Sequence, residues 1–185
     1  NAFFSDGGGI GLQGDGGYGA LDIDLTATNN EIRGWSRGVN ITQCAGNCSG
    51  TGYRAATLRH NLIVDNHAAL DNSSAGGLGV QAEANWWGSP SGPTTTRNPG
   101  GAGGALTGDA DFAPWLCSGV DGDPAIGFQP ETTTTMCGLA EQLVILTQPV
   151  GGLEGFPLPQ QPVVRIEDRD GNLAVNFNGP VTITP

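Results

Sequence analysis

Apolar and polar residues alternate in short runs along this chain. Ile23, Leu25 and Ala27 stand two apart, as do Arg54, Ala56 and Leu58, and again Leu78, Val80 and Ala82. That is the period of a strand with one face turned inward. Each run leads to an asparagine, and the segments that follow superpose without gaps: NAFFSDGGGIGL from Asn1, NEIRGWSRGVNI from Asn30, NLIVDNHAALDN from Asn61 and NWWG from Asn85. Two positions beyond each asparagine stands Phe3, Ile32, Ile63 or Trp87. Eight and nine positions beyond stand Gly9-Ile10, Gly38-Val39 and Ala69-Leu70. Copies spaced 29, 31 and 24 residues apart predict a repeat of strand, turn and strand, stacked so that equivalent apolar residues form an inner column. Asn1, Asn30, Asn61 and Asn85 then form a ladder, because stacked amides bond along the axis and asparagine tolerates a left-handed turn.

Alternation returns late in the chain, in LVILTQP (143 to 149), PVVRIEDRDGNLAVNF (162 to 177) and GPVTITP (179 to 185), with DRDGN and NGP as turns. Between the two patterned regions lies a Thr-, Pro- and Gly-rich stretch that includes ETTTTM (131 to 136). Three parts result: a repeat region 1–116, a linker 117–142 and a second β module 143–185.

The ending of the first region, ANWWGSPSGP (84 to 93) followed by NPGGAGGALTGDADFAPWL (98 to 116), carries a family resemblance. Residues 1–116 resemble the right-handed parallel β-helix repeats of secreted bacterial surface proteins, adhesins and pectate-lyase-like solenoids. The resemblance implies an all-β fold, a right-handed parallel β-helix of three to four coils, with Trp86, Trp87 and Trp115 closing the core. Residues 143–185 resemble the first half of the immunoglobulin-like repeats of large bacterial surface proteins, through the TQP, DRDGN and GPVT signatures. A whole sandwich of that kind needs about 100 residues, whereas 43 run from Leu143 to Pro185. A partial Ig-like module is therefore expected, with an open edge at which Val181 and Ile183 form an assembly strand. The repeat also opens at its own first position without a cap, so both ends look unfinished.

Charge narrows the function classes. The net charge is −11 and all seven basic residues are arginine, a field that repels nucleic acid. No apolar run is long enough to insert into a membrane. The cysteines read best as two local disulfides, Cys44 with Cys48 and Cys117 with Cys137, although four cysteines allow three pairings and free thiols are the alternative. Disulfides imply an extracellular or cell-surface setting. Sequons stand at Asn40, Asn47 and Asn72.

The leading expectation is a non-catalytic extracellular structural protein whose copies join head to tail into a surface fibre or sheath, by strand addition and coil stacking. Surface polysaccharide is a second expected partner. The alternatives are a fragment of a surface adhesin, or a carbohydrate-active β-helix such as a polysaccharide lyase or glycoside hydrolase. For catalysis the chain offers only Asp22 and Asp24 beside Arg54, which reads better as a surface ion pair, and the turn histidines His60 and His67. No catalytic residue, resident metal or cofactor is assigned. Calcium has weak candidates in the turns at Asp15, Asp121-Gly-Asp123 and Asp168-Arg-Asp170-Gly, which lack EF-hand spacing.

Overall fold

The computed structural model describes residues 2–4, 9–15, 23–42, 53–74, 79–131, 133, 135–152, 155–175, 177 and 179–181. The described chain is all-β, without a helix. Its first nine strands are β1 (Ala2–Phe4), β2 (Ile10–Asp15), β3 (Ile23–Thr28), β4 (Glu31–Arg33), β5 (Arg37–Thr42), β6 (Tyr53–Arg59), β7 (Leu62–Val64), β8 (Ala68–Ser74) and β9 (Val80–Gln81). Then come β10 (Pro93–Thr94), β11 (Gly103–Gly108), β12 (Ala110–Asp111), β13 (Trp115–Leu116), β14 (Met136–Cys137), β15 (Gln142–Thr147) and β16 (Val163–Glu167).

Three parallel sheets arise from this order: β1-β4-β7, β2-β5-β8-β11-β10 and β3-β6-β9-β12. From β1 to β9 the chain lays one strand in each sheet in turn; β10 and β11 then both join the second sheet and β12 the third. Ile32 lies opposite Ile63, Val39 opposite Leu70 opposite Leu106, and Ala56 opposite Val80 opposite Ala110. All these side chains are buried in one core with Leu58, Trp87, Phe112 and Trp115. At roughly 1.5–3 kcal/mol for each large apolar side chain removed from water, this column is the main stabilising element.

The repeat superposition misplaces two positions. Leu12, not Ile10, lies opposite Val39, and Ile10 lies opposite Arg37. The cause is chain length: residues 5–9 connect β1 to β2, whereas Gly34 to Ser36 suffice between β4 and β5. In the third sheet Ile23 pairs with Tyr53, not Arg54, and an irregularity follows before Asp24 meets Ala55 and Leu25 meets Ala56.

At the last pass β10 and β12 are the outermost strands of their sheets among the described residues. β13 lies beside the turn at Asn85, Leu116 N donating to Asn85 O at 3.1 Å, and β14 pairs antiparallel with β13. Cys117 and Cys137 form a disulfide beside this pair. The predicted linker is therefore part of the fold. Phe128 within it is 1% exposed and packs with Leu62 and Leu116. Its N–H donates to Asn29 O at 3.1 Å, and Asn29 Nδ2 donates back to Phe128 O at 3.0 Å. Thr/Pro/Gly-rich composition hid a segment whose anchor is a single aromatic residue.

Candidate functional site

Asn30, Asn61 and Asn85 form a buried column. Nδ2 of Asn30 donates to Oδ1 of Asn61, and Nδ2 of Asn61 to Oδ1 of Asn85, each at 2.9 Å. The same two oxygens accept the backbone N–H of Asn30 at 3.0 Å and of Asn61 at 2.9 Å. Asn85 Nδ2 turns to the carbonyls of Leu58 and Ala82, both at 2.7 Å. Each amide thus ties one pass to the next while satisfying polar groups that burial would otherwise penalise. Asn1 lies outside the described residues.

The left-handed turn belongs to the residue before each asparagine. Asn29, His60 and Ala84 have φ of 59°, 55° and 55°. A second such row follows the next strand at Gly34, Asp65 and Gly88, with φ of 79°, 57° and 92°. Beside it Asn66 makes a further tie, accepting from Trp35 N at 2.9 Å and donating to Ile32 O at 3.0 Å. The repeat does not show Asn66, because Trp35 and Pro90 hold the corresponding places, leaving no repeated amide to read.

The three tryptophans do not form one lid. Trp87 and Trp115 are fully buried in the main core, and Trp115 Nε1 donates to Pro90 O at 2.9 Å. Trp86 is half-buried and packs with Leu62, Leu116 and Phe128, because neighbouring residues of an extended chain face opposite ways.

Beyond β14 the second module is a two-stranded antiparallel ribbon, β15 with β16. Asp168 shapes the turn that follows β16: Oδ1 accepts from Asp170 N and Asn172 N at 2.9 and 2.8 Å, and Oδ2 from Asn172 Nδ2 at 2.8 Å. After the turn Leu173 forms isolated bridges to Glu167 and Cys137, which link the ribbon to β14. The predicted third strand does not develop among the described residues, and exposed Val181 lies outside any strand. Ile183 lies outside the described residues. Leu143, Ile145, Leu146, Val163 and Val164 are all exposed, at 37–54%.

Polar candidates are scattered. Asp71 on β8 accepts from Arg37 Nε at 2.9 Å, Ser73 Oγ at 2.6 Å, Ser73 N at 3.1 Å and Thr107 Oγ1 at 3.0 Å. Burial opposes its ionisation, but these bonds outweigh it and hold the carboxyl below the ordinary aspartate range. Such a satisfied carboxylate is a structural bridge between β5, β8 and β11. A cleft of about 540 Å³ between β12 and the turn that follows β16 is lined by Arg97, Asp109, Asp111, Glu141, Asp168 and Arg169, among others. His60 and His67 are exposed and stand apart from it.

Among the described residues no group of three or more His, Cys, Asp or Glu side chains is placed to hold a metal ion. Asp121 and Asp123 instead accept backbone N–H groups of their own loop. Asn40 and Asn72 are 7% and 4% exposed, and Asn72 Nδ2 donates to Asp109 O, so neither amide is open to a glycan in the folded chain. Cys44, Cys48, Asn47 and Asp22, and the side chains of Asp15, Asp24 and Arg54, lie outside the described residues.

Comparison of the chain with protein-family models, with curated proteins and with solved structures found no match.

Proposed function

We propose that this is a non-catalytic extracellular structural protein: a right-handed parallel β-helix of three to four coils that runs into a partial Ig-like ribbon and joins copies of itself at a cell surface. The observation that carries the reading is the ribbon. Among the described residues β15 pairs only with β16, contains no charge and no proline, and leaves apolar side chains exposed. Strands of that kind are what β-proteins ordinarily blunt or cover, because a neighbouring strand can add to them. Coil stacking stays in the expected assembly, since β10 and β12 are the outermost strands of their sheets among the described residues. The Cys117–Cys137 disulfide supports an oxidising setting. Surface polysaccharide stays the second expected partner.

Sedimentation velocity over a range of concentrations, with electron microscopy, tests this. Long polymers are expected. Ile145→Lys combined with Val164→Lys, two residues opposite each other in the ribbon, should stop assembly and leave the unfolding transition of the parallel stack unchanged. A chain that stays monomeric at its highest soluble concentration overturns the reading.

A further inference from the structure

Between Cys117 and Cys137 the chain leaves the stack and returns as a loop fastened at its base. Gly122 N donates to Gln129 O at 2.7 Å, and Asp121 Oδ1 accepts from Asp123 N and Gln129 N, both at 3.2 Å. The tip from Asp123 to Ile126 is exposed, Ile126 at 82%. In that tip stands the one Asp-Pro bond of the chain, Asp123–Pro124. Oδ1 of Asp123 accepts from Ala125 N at 2.8 Å, and the ring closed by this bond includes the Asp123–Pro124 peptide group. The carboxylate is thereby held on the side of its own backbone that carries the Asp123–Pro124 peptide group.

We propose that Asp123 cleaves this bond in mild acid. A carboxylate oxygen of Asp123 attacks the Asp123 carbonyl carbon, the bond to the Pro124 nitrogen breaks, and that nitrogen keeps the electron pair, takes a proton from solvent and leaves as a secondary amine. The succinic anhydride left behind takes up one water and becomes two carboxyl groups. The net change is hydrolysis of one peptide bond, with no oxidant or reductant. Holding nucleophile and carbonyl together supplies the rate, as in any well-oriented intramolecular reaction. The chain has no lysine, so no lysine amine of its own competes with water for the anhydride. Asp121 at the base of the loop and Glu131, which lines the same hollow as Asp123, are both acidic and draw protons toward this loop. The cut pieces, 1–123 and 124–185, stay joined by Cys117–Cys137 and by seated Phe128, so the nick is silent until a thiol reduces the disulfide.

Mass spectrometry of the disulfide-intact protein held near about pH 4 and about pH 7 tests this. Expected are a gain of one water without reduction and, after reduction, two fragments meeting at Asp123 and Pro124, formed faster in acid than near neutrality. Asp123→Ala abolishes the cut and Pro124→Ala slows it, with the disulfide and sedimentation unchanged. The reduced, denatured chain is cut more slowly than the folded one. A wild-type cutting rate in Asp123→Ala, a cut at another bond, an intact chain after prolonged acid, or equal or faster cutting of the denatured chain each overturns the proposal.

Discussion

Asn61 donates Nδ2 to Oδ1 of Asn85 at 2.9 Å, and this bond links two passes of the chain through a site shut off from water. The same nitrogen donates to Ala27 O at 2.9 Å, while Asn61 Oδ1 serves Asn30. Asn61→Ala removes all four bonds and strands buried partners, so a loss of about 3 kcal/mol is expected. Urea unfolding checks it. A loss under about 1 kcal/mol would show that the column is ornamental.

Ala84 carries a left-handed backbone at φ 55° that costs a residue with a β-carbon roughly 1–2 kcal/mol. Ala84→Gly should therefore raise stability by about 0.5–1 kcal/mol, after the greater freedom of glycine in the unfolded chain is allowed for. Ala82→Gly is the control: Ala82 is buried without positive φ, and there the substitution should destabilise. If both variants shift the same way in thermal unfolding, the assigned turn geometry is wrong.

Gly92 has φ 77°, and a β-carbon there would stand 2.6 Å from the Trp115 indole. Gly92→Ala must push that ring aside and strain the bond from Trp115 Nε1 to Pro90 O. A cost of about 2 kcal/mol with an altered near-ultraviolet circular dichroism spectrum is expected. An unchanged spectrum and stability would contradict the close packing of the last pass.

Asp71 ties stability to pH. Its carboxyl is held below the ordinary range in the folded chain, whereas the unfolded chain titrates near about 3.9. The folded pKa is the lower one, so the contribution is fully present above the unfolded value and is lost as pH falls through the folded value. Comparing Asp71→Asn with the parent by urea unfolding across this range should show a constant gap near neutrality that shrinks in acid. A gap independent of pH would place the stabilisation elsewhere.

Much of the stack was legible because its spacing is regular where it matters. Asn30, Asn61 and Asn85 sit two residues before Ile32, Ile63 and Trp87 in every copy, and the core uses those positions. Ile10 misled because two additional residues in one connection move the facing partner to Leu12. The Asp71 bridge could not be read, since Arg37 and Thr107 lie 34 and 36 residues away and meet it only across strands. Phe128 was hidden for the opposite reason: its surroundings have no periodicity, and its whole role lies in one distant pocket. Asp168 was visible only as a turn residue, while its approach to Gly138 depends on how the ribbon folds back.

The two hydrogen bonds between Asn29 and Phe128 join residues 99 apart in sequence. Their receptor is the side of the finished stack, with Leu62 and Leu116 beneath the aromatic ring. Contacts of such long range carry the largest closure entropy and slow folding. During synthesis the early passes must therefore wait, with that apolar flank wet, until the distant loop has emerged and swung back; the interval is when a chaperone or a stray strand has its opening.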